Sequence, residues 1–143
     1  MKPTIIIGAD HAGFRLKERV RKELEQKNFS VLDLTPRYAE GDDYPPIGMK
    51  VARRVAKTNG RGILICGSGV GMLIAANRVK GARAVLGRDA NGIKRARRDG
   101  DVNVLALSGW NTNFPAATKM IRAFLTTKRS NAARHRRRVR QLG

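Results

Sequence analysis

One cysteine occurs in the 143 residues, and it opens a run of glycines: Cys66-Gly67-Ser68-Gly69-Val70-Gly71. An apolar stretch, "GILIC", precedes it and a second one, "VGMLIAANR", follows. Glycines between a strand and a helix let backbone N–H groups converge on an anion at the helix N-terminus. A thiol beside such donors, in a positive field, has its thiolate form favoured. The other common use of a lone cysteine is as a small buried hydrophobe, and position in the sequence is compatible with both. Two further clusters carry similar chemistry. Asp10-His11-Ala12-Gly13 ends the apolar run "TIIIGA", and Ser108-Gly109-Trp110 ends "VNVLAL". "GSGVG" lacks the GK[ST] ending of a nucleotide-binding P-loop and fits GxGxxG poorly. Neither nucleotide-loop pattern is met in full. These features indicate an anion site without specifying the anion.

The elements that must position these residues alternate along the chain. "TIIIGA", "FSVLDL", "RGILICG", "ARAVLG" and "VNVLAL" read as five strands. Between and after them lie stretches of helical period, such as "GFRLKERVRKELEQKN" with Phe14, Leu16, Val20 and Leu24 on one face. "YPPIGMKVARRVAKTNG" repeats Ile47, Val51 and Val55 four apart and stops at Asn59-Gly60. Strands alternating with helices predict an α/β fold, a Rossmann-like three-layer arrangement with a five-stranded parallel sheet covered on both faces. Ligands in such sheets sit beyond the carboxyl ends of the strands, where all three clusters fall. The whole chain, 1–143, reads as one domain. From about residue 129 it is too polar to join the sheet, and "NAARHRRRVRQL" is expected to form a helix reaching across a surface or a second subunit.

Thirty Lys and Arg against eleven Asp and Glu give a formal charge of +19. No acidic residue occurs from Tyr44 to Arg88 or from Val102 to Gly143. Such a field attracts phosphorylated metabolites and nucleic acid alike, and a merely solvated surface is the other reading. No uncharged run reaches the roughly 20 residues of a membrane span, and the N-terminus lacks a signal-peptide pattern. A single cysteine excludes an internal disulfide and any multi-cysteine metal site. His11 and His135 are too few for a histidine-based zinc cluster unless carboxylates complete it. The expectation is a cytoplasmic protein without metal or cofactor.

"GADHAGFRLKE", "GDDYP", "GILICGSGVGMLIAANR", "ARAV", "NVLAL" and "RHRRRV" occur in this order over residues 4 to 140. In these blocks the chain resembles the ribose-5-phosphate isomerase B family, which also includes the galactose-6-phosphate isomerase subunits. The resemblance implies a metal-independent aldose–ketose isomerase, dimeric or tetrameric, with active sites between subunits and a sugar phosphate as substrate. It implies that Cys66 moves a proton between carbons 1 and 2. Ser68 and the amides of Gly67, Gly69, Val70 and Gly71 would hold the enediolate oxygens. Asp10, His11 and Tyr44 would contact the sugar, and Asn77 would support the loop. Arg134 and Arg138 of a neighbouring subunit would bind the phosphate; four apart on a helix, they share a face.

The chain departs from the family in two short segments, and its surplus of basic residues exceeds what one phosphate needs. Asp99-Gly100 stands where family members often read His-Asn, so Asp99 occupies the position of a ring-opening histidine. An ionised aspartate accepts a proton but cannot donate one, leaving ring opening to His11 or water unless its pKa is raised. Trp110 replaces an arginine, which removes one phosphate contact and offers a stacking surface. The leading reading interconverts ribose 5-phosphate and ribulose 5-phosphate. The alternatives are a hexose 6-phosphate isomerase, or an impaired family member binding RNA or other polyanions. Aromatic residues are only 5% of the chain, and no RNA-binding aromatic signature is present.

Overall fold

A computed structural model of the chain describes residues 2–143. The apolar runs form β1 (Ile5–Ala9), β2 (Val31–Asp33), β3 (Arg61–Cys66), β4 (Ala84–Leu86) and β5 (Val104–Ser108). All pair in parallel, in the order β2-β1-β3-β5-β4. The helices are α1 (Phe14–Gln26), α2 (Tyr44–Thr58), α3 (Val70–Asn77), α4 (Ala90–Gly100), α5 (Phe114–Thr126) and α6 (Ala133–Gln141). No helix is long and apolar enough to cross a membrane among the described residues.

The period of two along each strand sorts the core into two layers. Ile5, Ile7, Ile63, Ile65, Leu105 and Leu107 pack with buried residues of α1, α4 and α5. Ile6, Leu64, Cys66, Val104 and Ala106 pack with Val51, Ala52 and Val55 of α2 and Met72 and Ala76 of α3. The central strands are apolar along nearly their whole length because helices cover both faces; charge is confined to Asp33 at the end of β2 and Arg61 at the start of β3. The three-layer α/β architecture read from the sequence is the one observed.

Local chemistry sets the helix ends. Prolines occupy the first positions of α2 and α5, where the missing N–H costs nothing. Asn113 caps α5 by accepting from the Ala116 N–H at 2.9 Å, and Asp89 caps α4 through Gly92 at 2.7 Å. Asn59 ends α2 in the left-handed conformation, φ 56°. Helix α3 differs from its neighbours in being apolar nearly all round, and it leaves Val70 and Ile74 exposed.

The α6 helix has no buried residue. It leans on α4 through half-buried His135 and Val139, and the Ser130 N–H donates to the Arg98 carbonyl at 2.8 Å. Arg134 and Arg138 are thereby left exposed on its outer side.

One buried charge fixes the edge of the sheet. Lys17 is fully buried, and its ammonium donates to Glu18 and Asp33 at 2.7 Å each and to the Thr35 carbonyl at 2.8 Å. All three of its N–H donors are used, and the Phe14 ring lies 4.3 Å from the charge. The Thr35 hydroxyl in turn accepts from the Ala9 N–H at 2.9 Å, so Lys17 ties the loop after β2 to the end of β1. Removing one partner of a buried ion pair leaves the other charge uncompensated. Lys17→Ala should therefore lower unfolding free energy by about 3 kcal/mol in urea titrations; a loss below about 1 kcal/mol would contradict this role.

Candidate active site

The register of the three central strands decides where the site lies. Ala9 pairs with Ile65, and Cys66 with Ser108, so β1, β3 and β5 end nearly level. The loop after β1 turns toward β2 and the loop after β3 toward β4, which opens a crevice at the switch between them.

Backbone bonds knit the three loops. The Asp10 N–H donates to the Ile65 carbonyl at 3.3 Å, Gly109 N–H to the Cys66 carbonyl at 2.7 Å, and Trp110 N–H to the Gly67 carbonyl at 3.1 Å. The Ser108 hydroxyl also donates to the Gly67 carbonyl, at 2.7 Å. A side chain at Gly13 would strike the Ile65 carbonyl, so only glycine lets α1 start this close to β3.

Cys66 sits at the floor, 4% exposed, and its Sγ accepts from the Gly69 N–H at 3.2 Å. Gly69 makes this contact with φ +82° and with no room for a Cβ beside Leu86 and Leu107, conditions only glycine meets. The Ser68 hydroxyl is exposed and accepts from the Val70 N–H at 3.2 Å. Val70 and Gly71 open α3, whose first N–H groups have no intrahelical partner. Two aromatic rings wall the loop. Trp110 lies over Gly67, and Tyr44 lies over Gly71, where a Cβ would come within 2.7 Å of the ring.

Asp10 and His11 close the remaining side. The Asp10 carboxylate is buried and accepts from the Ala12 N–H at 3.0 Å and the Gly13 N–H at 3.1 Å. Burial raises its pKa above the ordinary value, and the Gly13 N–H opposes that shift. His11 is exposed and meets Asp42, which raises the imidazole pKa chiefly through their hydrogen bond.

The structure thus brings Asp10, His11, Tyr44, Cys66, Gly67, Ser68, Gly69, Val70 and Gly71 to one crevice. Asn77 lies at the far end of α3. Its amide donates to the Ala84 carbonyl at 3.2 Å and accepts from the Ala84 N–H at 2.8 Å, so it steadies the helix against β4 and does not touch the loop. Asp99, Arg134 and Arg138 stand elsewhere. Asp99 is in the last turn of α4, before the amino end of β5, and pairs with Arg98 at 3.1 Å. Arg134 and Arg138 project from α6 and form no ion pair among the described residues. A cleft of about 160 Å³ between α4 and α6 is lined by Arg98, Asp99 and His135, whose Nδ1 is 3.8 Å from the Asp99 carboxylate. Within one chain these groups face away from Cys66. Nothing in the local sequence marks Thr35 or Lys17 as part of the site's support. The acidic pair Asp42-Asp43 before Tyr44 was the one trace of Asp42 in the sequence.

A thiol floored by backbone N–H groups, at the switch point of a doubly wound parallel sheet, defines an α/β protein with a crevice for a small anion. The family model for Ribose/Galactose Isomerase matches residues 5–142, and the chain belongs to that family. A ribose-5-phosphate isomerase B from Mycobacterium tuberculosis is 37% identical over 137 residues, 94% of this chain and 85% of that one. The crystal structure of a ribose 5-phosphate isomerase from Thermotoga maritima superposes with a TM-score of 0.93 at 37% identity, covering 98% of this chain and 97% of that one. The ribose-5-phosphate isomerase B of Mycoplasma genitalium, solved with bound ribulose-5-phosphate, gives a TM-score of 0.90 at 37% identity over 97% and 93% of the two chains.

The cost of burying Asp10 predicts a pH signature. Its folded pKa is raised, so its favourable contribution is complete below the ordinary value and lost as pH rises through the folded value. Asp10→Asn keeps an acceptor for Ala12 and Gly13 and removes the charge. Its melting temperature should exceed that of the wild type near pH 7 and match it near pH 3.5. A variant less stable than wild type near pH 7 would contradict this.

Proposed function

We propose that this protein interconverts ribose 5-phosphate and ribulose 5-phosphate without a metal, using Cys66 as the base. The observation that carries the reading is the thiol at the floor of a crevice lined by backbone N–H donors, in a chain of this family. The proton beside a carbonyl is weakly acidic. Its removal needs a base close to carbon and fixed donors for the oxygen that becomes negative. Cys66 takes the proton from C2 of the aldose and returns it to C1. The N–H groups at the start of α3 and the Ser68 hydroxyl hold the enediolate oxygens. Asp10, His11 and Tyr44 grip the sugar. The +19 charge draws the anionic substrate in from a distance.

The phosphate is held by Arg134 and Arg138 of a second copy, in a homodimer or a homotetramer. Two observations support this. These arginines are exposed, without acidic partners among the described residues, and at the end of their own sheet opposite Cys66. Beside the crevice, Val70 and Ile74 of α3 are exposed apolar residues of the kind an oligomer covers. Asp99 would arrive at the shared site by the same route, as an acceptor already bound to Arg98.

Purified protein should turn over ribose 5-phosphate, and Cys66→Ala should abolish turnover while calorimetric binding of ribulose 5-phosphate stays within a few-fold. Cys66→Ser should be nearly as inactive, because a hydroxyl is a far poorer base. An alanine variant retaining most of its turnover would overturn the assignment of the base. Removing residues 129–143 should weaken both self-association and phosphate binding; a truncated chain with unchanged assembly and affinity would overturn the shared site.

A further inference from the structure

His11 is held by a residue 31 positions away. The Asp42 Oδ1 accepts from the His11 main-chain N–H at 2.7 Å and lies 3.1 Å from Nδ1 of its ring. Asp42 belongs to the loop whose near end Lys17 and Thr35 fasten to β1, and its own N–H donates to the Ala39 carbonyl at 3.3 Å. With Nδ1 turned to the carboxylate, Nε2 is the ring nitrogen left for a ligand. In the loops after β1, β3 and β5, residues 10–13, 67–69 and 109–113, His11 is the only side chain able to carry positive charge.

We propose that Asp42 is a positioning residue for the isomerisation, fixing His11 and keeping it a cation so that the sugar phosphate meets positive charge on the same chain as Cys66. This rests on the reading given under Proposed function. The charged groups facing His11 are Asp42 and Asp10, both carboxylates, and both favour the imidazolium. The hydrogen bond that the ring donates to Asp42 is the largest contribution, and partial desolvation opposes it. A histidine pKa raised in this way keeps the charge below the raised value and loses it as pH climbs through it. Substrate binding therefore weakens on the alkaline side, and does so at lower pH once Asp42 is neutralised.

Asp42→Asn is the test, because asparagine retains an oxygen for the His11 N–H and removes only the charge. KM and kcat for ribose 5-phosphate are measured from pH 6 to 9 for wild type, Asp42→Asn, Asp42→Glu, His11→Gln and the Asp42→Asn/His11→Gln pair. Near pH 8, Asp42→Asn should raise KM roughly tenfold, with kcat within about threefold of wild type. Near pH 6 its KM should approach the wild-type value, which also establishes that the variant is folded. Asp42→Glu should recover part of the loss, and Asp42→Asn should add nothing once His11 is glutamine. A KM profile for Asp42→Asn that coincides with wild type would overturn the proposal, as would an equal effect with and without His11. Wild-type protein that neither isomerises nor binds ribulose 5-phosphate would overturn this inference and the proposed function together.

Discussion

The parallel pairing of β1, β3 and β5 is the constraint on which the rest depends. Because these strands end at one level, three loops of unrelated sequence meet, and each is held by the backbone of its neighbour. The Cys66 carbonyl accepts from Gly109, the Ile65 carbonyl from Asp10, and the Gly67 carbonyl from both Trp110 and Ser108. The glycines at 13, 67, 69 and 109 are what allow so close an approach. A thiol in this frame cannot drift, and its Gly69 N–H donor is fixed before any ligand arrives. Preorganised donors of this kind favour developing negative charge without a cost of reorientation at the moment of reaction.

The same topology sets a limit. A parallel sheet sends all of its strand-to-helix loops to one end, so whatever precedes a strand lies at the other. Asp99 precedes β5, and α6 packs against α4 there through His135 and Val139. One chain therefore carries a thiol and N–H floor at one end and a cationic helix at the other. A phosphorylated sugar that needs both would require two copies related by a two-fold axis, the floor of each facing the cationic helix of the other. The exposed apolar residues of α3 lie beside the first of these ends, at Val70 and Ile74. Buried Asp10 fits the same picture, since a carboxylate held against its desolvation cost is a feature functional sites retain.

Much of this was legible in the sequence, for identifiable reasons. Strands covered on both faces read as continuous apolar runs, and the helices between them repeat at four residues, so the five-stranded α/β order followed from pattern alone. The glycine-rich turn at Cys66 and the Asp10-His11 turn were visible because strand ends in such folds are ligand sites. Contacts between distant segments were not legible. Lys17 looks like one more charge on a basic helix, and only the approach of Asp33 and Thr35 reveals it as a buried tie. Asp42 reaches His11 across 31 residues, a pairing no local period announces. Asp99 reads as a candidate catalytic group from its place before "NVLAL", while in the folded chain its nearest charge is Arg98 and its end of the sheet is opposite Cys66. Asn77 follows the glycine loop closely in sequence, yet a helix of eight residues carries it to β4.

Subunit complementation tests the proposed two-chain site most directly. Cys66→Ala protein lacks the thiol, and an Arg134→Ala/Arg138→Ala protein lacks the phosphate anchor, so each alone should be inactive. Reassembled together in equal amounts, half of the dimers would be hybrids, each with one doubly damaged site and one undamaged site. The account predicts recovery of about a quarter of wild-type activity on ribose 5-phosphate after mixing, from the symmetry of a shared two-fold interface. Hybrid dimers verified by mass that remain as inactive as their parents would contradict it, and would return the whole site to a single chain.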